Sequence, residues 1–258
     1  MLAPLAARHV HWLSLDAEAV LADRDEAEHD IRAMQLILRM ERADPPRWSD
    51  ALAAACTAAT LVCLDPRAEP GGEWHDAVAQ YIGAHIRKVT RRARAGQWDA
   101  VDDLPGITVT LGTAQVRALV PGPVTELDKR VSKLQVGGTD VPVDLPAVDN
   151  GDVAPGALLV QVPEHVTMTA GKLMAQTGHA GMIAAALLAE SDPGALTRWR
   201  DAGVPVVVRR LTEAAWAALL GPASAADGWE SRLVAVRDAG FTEIEPGTVT
   251  VIGDASAL

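Results

Sequence analysis

The chain has 258 residues, 49% hydrophobic and 22% charged, enough apolar material for one large folded domain or two small ones, so disorder as the main state is excluded. The 23 Lys and Arg residues against 34 Asp and Glu give a net charge of −11, which argues against a general nucleic-acid-coating protein. Two cysteines exclude a disulfide framework and a metal cluster of the CxxC kind, and we expect a cytoplasmic protein without a metal or cofactor.

The first 33 residues are expected to form a helical extension. Acidic and apolar residues alternate at helical spacing over 16–33, which predicts a solvated helix. His9 and His11 are expected on one face of a strand, as surface residues. No basic leader precedes a clean apolar segment, and the longest nearly uncharged apolar run, 51–64, is shorter than the roughly 20 residues of a membrane-spanning helix. We therefore expect neither a signal peptide nor a membrane anchor.

The second half of the chain alternates apolar strands with helices. Pro, Gly and acidic residues over 141–156 predict a linker, after which 157–258 is expected to fold as a domain. Apolar, largely β-branched runs predict strands at 157–162, 204–210, 231–237 and 248–253, with a long helix from Gly171 and a later helix ending at Gly221. This order predicts an α/β fold, a three-layer α/β/α sandwich with a four-stranded mixed sheet.

The first half, 34–140, is interpreted as a degenerate copy of the second. Its first predicted strand is MQLIL at 34–38, followed by an alanine-rich helix. Trp98 and Trp216 are 118 residues apart, and Thr125 and Thr242 are 117 apart, so the spacing is nearly constant. The alternative is chance matching in an alanine-rich chain. A true duplication would make the chain a fused pseudo-dimer.

The helix from Gly171 carries a polar stripe at its N-terminal end. Lys172, Gln176 and His179 are spaced i, i+4 and i+7, so they share one face, near backbone N–H groups that favour an anion. Such residues could hold a phosphate or a developing oxyanion. The alternative is a solvated lysine with a structural histidine.

A carboxylate follows the third predicted strand of this half. Asp238 stands where an apolar strand gives way to a Gly-containing turn, a position at which ligand sites gather in α/β sheets, and Thr242 lies four residues on. The alternative is an Asp and a Thr that merely close the turn. Asp238 beside Lys172 would form a buried ion pair near a water molecule, an arrangement suited to ester hydrolysis.

Two segments, MTAGKLMAQTGHAG at 168–181 and VRDAGFTEIEPGTVTVIG at 236–253, resemble the signature stretches of the archaeal and eukaryotic-type (second class) peptidyl-tRNA hydrolases. The resemblance implies metal-independent hydrolysis of the ester between a peptide or N-blocked amino acid and the 3′ end of tRNA. Thr167 and Ala170 stand where the family usually has lysines. The family's site residues fall on Gly171, Lys172, Gln176, His179, Asp238 and Thr242.

In the mechanism that we expect, Asp238 positions or deprotonates water and Lys172 stabilises negative charge. Gln176 and Thr242 orient the ester, while Gly171 and His179 support the site. The alternative function is a non-catalytic module that binds tRNA or an aminoacyl group, favoured by the acidic charge and the missing lysines.

The densest basic segment lies in the first half. Its five basic residues, with no acid among them, are candidates for contacts with the tRNA backbone, the alternative being a charged surface that keeps the chain in solution. They are Arg87, Lys88, Arg91, Arg92 and Arg94. Because members of the resembling family are commonly homodimers, we expect either a monomeric pseudo-dimer or a homodimer.

Overall fold

A computed structural model describes residues 1–22, 31–149, 154–225, 227–238 and 244–258. Helices form at α1 (Ala3–Ser14), α2 (Ala17–Ala22), α3 (Trp48–Leu64), α4 (His75–Gly83), α5 (Gly96–Asp99), α6 (Lys129–Ser132), α7 (Ala170–Ser191), α8 (Pro193–Asp201) and α9 (Glu213–Ser224). Strands form at β1 (Arg32–Arg39), β2 (Arg87–Ala93), β3 (Gly106–Leu111), β4 (Ala114–Leu119), β5 (Gly122–Pro123), β6 (Gln135–Val136), β7 (Ala147–Val148), β8 (Leu158–Pro163), β9 (Val206–Leu211), β10 (Leu233–Arg237) and β11 (Val249–Asp254).

These strands form two mixed sheets, which confirms the predicted α/β class. The first runs β3-β4-β1-β2-β6, with β5 paired to β1, and the second runs β10-β11-β8-β9-β7. At the centre of each sheet two strands pair in parallel, β1 with β2 and β8 with β9. In the order of the chain, helices lie between the two strands of each pair. An antiparallel hairpin pairs with the earlier strand of each parallel pair: β3–β4 lies beside β1, and β10–β11 lies beside β8.

Within the described part of the chain, the second sheet has five strands rather than the predicted four. The four expected strands are present, and the fifth is β7, a two-residue strand from the predicted linker that pairs with β9. A strand of two residues is too short to show an alternation of apolar and polar residues in the sequence. It forms because its backbone lies beside β9 and pairs with it. The helix expected to end at Gly221 continues to Ser224, with Pro222 in its last turns.

The N-terminal region differs in part from its prediction. Helix α2 occupies 17–22 of the expected helix at 16–33, residues 23–30 lie outside the described part, and β1 begins at Arg32, inside the predicted extension. His9 and His11 lie in helix α1 rather than in a strand, and His9 is buried. Among the described helices none is long and apolar enough to cross a bilayer.

Helices α3 and α7 pack against each other between the two sheets. Small residues permit the close approach, because a Cβ at Gly181 would lie 2.7 Å from the Sγ atom of Cys56. Each helix also contacts the other half: Thr57 donates a hydrogen bond to the carbonyl oxygen of Val204 (2.9 Å), and Thr177 donates one to that of Leu52 (3.0 Å). One hydrophobic core therefore runs through both halves.

The outer faces of the sheets are covered by smaller clusters. Trp98 of α5 and Val131 of α6 pack with Ile37 on the first sheet, and Trp216 of α9 packs with Ile252 on the second. Each sheet therefore has helices on both faces, and the two central helices occupy the space between the sheets.

Candidate active site between the two halves

A cavity of about 600 Å³ opens where the two halves meet. From the first half it is lined by α1, by residues 85–90 of the β2 region and by Val136, Gly137 and Thr139. From the second half it is lined by the polar stripe of α7 and by the end of β10, including Asp238. The first half therefore supplies one wall of the site that the sequence placed in the second half.

Asp238 is the buried anion of this cavity. Its side chain is 3% exposed, and its Oδ2 atom forms an ion pair with the Nζ atom of Lys172, whose side chain is 15% exposed. The Nε2 atom of Gln176 donates a hydrogen bond to the same oxygen at 2.6 Å. Three of the predicted site residues thus meet in one cluster, although Lys172 and Asp238 are 66 positions apart in the chain.

Local structure explains how these side chains are presented. The Thr169 side chain accepts a hydrogen bond from the backbone N–H of Lys172 and caps α7, so the stripe begins in the first turn. Asp238 directly follows β10, where its N–H donates to the carbonyl oxygen of Thr248 (2.8 Å) and its own carbonyl oxygen accepts from Gly247 (2.8 Å). Backbone pairing therefore extends past the strand and holds the carboxylate in place.

The second polar atom of the Gln176 amide has no protein partner among the described residues. The residue is 4% exposed, and its Oε1 atom is buried without a hydrogen bond. Because an unsatisfied buried acceptor costs about 1–3 kcal/mol, it marks a position for a donor such as water or a hydroxyl group.

His179 contacts a residue that the sequence analysis placed on a surface. Its Nδ1 atom lies 3.1 Å from the Nζ atom of Lys88, which projects from β2 of the first half. Burial, and then the charges of Lys88 and Lys172, hold the pKa of His179 well below its ordinary value of 6.5. The imidazole is therefore neutral at physiological pH.

The charge of the cavity is opposite to that of the whole chain. Among the described residues, five basic ones and one acidic one, Asp238, line it, whereas the chain carries a net charge of −11. The basic ones are Arg8, Arg87, Lys88, Lys172 and Arg237. Such a cavity attracts an anionic ligand, since its walls exclude much of the screening solvent.

The basic run of the first half does not form one surface. Along β2, Lys88 and Arg92 lie on the side of the cavity, where Arg92 donates to the carbonyl oxygen of Gly138 (3.1 Å). Arg91 points to the other face of the sheet and donates to the side chain of Gln35 (2.9 Å). Successive side chains of a strand point to opposite faces of the sheet, so the basic run does not form the single patch that the sequence suggests.

The remaining basic residues of that run have different surroundings. Arg87 lines the cavity, and Arg94 is exposed beyond the end of β2. Contact of any of the five with a tRNA backbone stays a prediction.

Two further predicted site residues have different outcomes. Gly171 lines the cavity, where its carbonyl oxygen accepts a hydrogen bond from Thr90 (2.8 Å) and an added Cβ would collide with the Thr139 hydroxyl. It thus permits close contact between the halves at the site. Thr242 lies outside the described residues.

Helix α1 contributes to the cavity, although no sequence pattern indicated it. Leu5, His9 and Trp12 of this helix line the cavity. The Nη1 atom of Arg237, next to Asp238, donates to the carbonyl oxygens of Trp12 (2.6 Å) and Leu15 (2.7 Å) at the C-terminal end of α1, where a cation is favourable. No local pattern signals a contact between residues more than 200 positions apart.

The comparison with protein families supports the resemblance stated from the sequence. Residues 157–255, the C-terminal part of the chain, match the family model described as Peptidyl-tRNA hydrolase PTH2. The match spans α7 and β10, and therefore Lys172, Gln176 and Asp238. The C-terminal part of the chain is therefore similar to a family of hydrolases.

Proposed function

We propose that this protein hydrolyses the ester bond between a peptide or N-blocked amino acid and the 3′ end of tRNA. The observation that carries the proposal is the buried Asp238 carboxylate, which Lys172 and Gln176 hold at the edge of the cavity; all three residues lie in the segment that matches the hydrolase family. A carboxylate fixed in this way can accept a proton from water without losing its position.

The proposed reaction has two steps. Asp238 accepts a proton from a water molecule while the water oxygen forms a bond to the ester carbonyl carbon. Negative charge then moves to the carbonyl oxygen, where the Lys172 ammonium stabilises it. When the tetrahedral intermediate collapses, the bond from the carbonyl carbon to the ribose 3′ oxygen breaks, and that oxygen takes the proton from Asp238.

The other site residues orient the reactants in this proposal. The Oε1 atom of Gln176 offers a hydrogen-bond acceptor to the water or to a substrate hydroxyl. Thr242 orients the ester and His179 supports the wall, as the family resemblance implies. The five basic residues of the cavity favour the phosphates that adjoin the terminal ribose.

We also propose that the chain is a fused pseudo-dimer with a degenerate first half. The two sheets share a parallel central pair and an antiparallel hairpin, and α3 and α7 contact the opposite halves in a reciprocal way. Helix α3, the counterpart of α7, presents buried alanines at Ala51, Ala55 and Ala58, each of them 121 positions before the corresponding residue of the polar stripe. Sedimentation will distinguish a monomer from a homodimer.

The test is release of an N-acetylated amino acid from its tRNA at low salt. The wild type and an Asp201→Asn variant, which changes an exposed carboxylate of α8, should release it, and Asp238→Asn should not. Binding of tRNA without release by the wild type would identify the non-catalytic module, an outcome in keeping with Thr167 and Ala170 in place of lysines. Neither binding nor release would exclude tRNA as the ligand.

A further inference from the structure

Lys88 belongs to the first half, but its side chain lies along the catalytic helix of the second. A Cβ at Gly178 of α7 would lie 3.0 Å from Cε and 3.1 Å from Cδ of Lys88, tighter than ordinary contact. A glycine at this position therefore makes room for the lysine stem, which carries Nζ to the Nδ1 atom of His179 (3.1 Å). The aromatic ring of Tyr81 in α4 faces the same ammonium, 5.9 Å away.

No carboxylate in the described part of the chain pairs with Lys88. The titratable groups that face it are Cys56 and Cys63 of α3, Tyr81 of α4, and His179 of α7. Burial raises the pKa of both thiols to about 12 and also raises that of Tyr81, so these groups are neutral and do not compensate a positive charge.

Burial lowers the pKa of Lys88 to about 7. A lysine kept in such surroundings lowers the stability of the fold, so stability does not account for its place beside His179.

The contact restricts the tautomer of His179. A neutral imidazole carries one N–H group, and the other ring nitrogen accepts. When the Lys88 ammonium donates to Nδ1, the proton of His179 must be on Nε2. His179 lines the cavity, and no described residue is a hydrogen-bond partner of its Nε2 atom.

We propose that Lys88 is a positioning residue that the first half supplies to the site, where it fixes His179 as the neutral Nε2–H tautomer and so presents a hydrogen-bond donor to the cavity. The degenerate half is then a working part of the site and not only a packing partner. The kinetic consequence rests on the proposed function, whereas the state of the imidazole does not.

The first experiment reads the imidazole directly in the full chain. Histidine ring ¹⁵N shifts are recorded at pH 6, below the pKa of Lys88, and a His179→Gln variant assigns the signals among the seven histidines. The wild type should show the Nε2–H tautomer. Lys88→Met keeps the stem and removes the donor, so its His179 signals should move toward a mixture of tautomers, while Lys88→Arg should retain the wild-type pattern.

Folding of each variant is checked by circular dichroism and thermal unfolding. Because Lys88→Met removes a partly buried cation that no described carboxylate pairs with, its Tm should equal or exceed that of the wild type. Unchanged His179 signals in a folded Lys88→Met variant would overturn the proposal.

The second experiment measures release of the N-acetylated amino acid. Lys88→Met should lower kcat by roughly tenfold or more and leave KM nearly unchanged, since a misplaced group impairs the reacting geometry more than binding, and Lys88→Arg should restore most of the rate. An unchanged kcat would overturn the positioning role. If the wild type releases nothing but the ring signals change as expected, the proposed function fails and the assignment of Lys88 to His179 stands.

Discussion

Replacing Gly181 by alanine should push apart the two helices that join the halves. An added Cβ would collide with the Thr60 hydroxyl and lie 2.7 Å from the Sγ atom of Cys56. Ordinary contact begins at about 3.5 Å, so the α3 side chains would have to retreat by roughly 1 Å within a close-packed core.

The magnitude follows from two opposing effects. Overpacking of a core costs about 1–3 kcal/mol, whereas replacing a helical glycine by alanine contributes about 0.8–1.0 kcal/mol of stability. The Thr60 hydroxyl and the Cys56 Sγ atom are buried where α3 packs against α7, so overpacking should outweigh the gain in helix propensity. We therefore expect a net loss of about 1–2 kcal/mol for Gly181→Ala. At roughly 2–4 °C per kcal/mol for a protein of this size, Tm should fall by about 2–8 °C.

The matched control is Gly83→Ala in α4. Gly83 is the last residue of its helix, nothing lies within 4 Å of its Cβ position and no proline follows it, so only the gain in helix propensity applies and Tm should not fall. Calorimetry of both variants measures the difference. A change in Tm for Gly181→Ala equal to that for Gly83→Ala would refute the close packing of α3 on α7. In a Cys56→Ala, Thr60→Ala background, the effect of Gly181→Ala should shrink or reverse.

Three further predictions concern α1, acid stability and the segment before β7. Arg237→Ala removes two hydrogen bonds from the end of α1, so amide exchange of α1 should accelerate while that of α9 stays unchanged; equal rates would refute the anchoring. Burial lowers the pKa of His9 to about 4, so the unfolded chain binds the extra proton between pH 6.5 and 4 and folding loses up to about 3 kcal/mol as pH falls. Urea unfolding should show a smaller loss for His9→Gln between pH 7 and 4, and an equal loss would contradict this cause. Asp144→Ala removes the acceptor of both the N–H and the hydroxyl of Ser49, at a cost of about 1–2 kcal/mol, and a Tm equal to that of the exposed-site control Asp140→Ala would show that this contact contributes nothing.

The local elements of the site could be predicted because their signals are local. Thr169 caps α7, and the spacing of Lys172, Gln176 and His179 puts them on one face of that helix in the structure as in the sequence. Apolar runs predicted the four main strands of the second sheet to within two residues at their starts. The family resemblance of 157–258 rested on these same segments, and the family match at 157–255 confirms it.

The composition of the site depended on contacts that no local pattern encodes. The sequence determined that a lysine, a glutamine and a histidine share a helical face, because 3.6 residues complete each turn wherever the helix lies. Only the tertiary structure brought Lys88 to His179 and Arg237 to the end of α1, since packing of α3 against α7 decides which side chains of the two halves meet. The same packing puts the neighbouring Arg91 on the other face of the sheet, because successive side chains of a strand point to opposite sides.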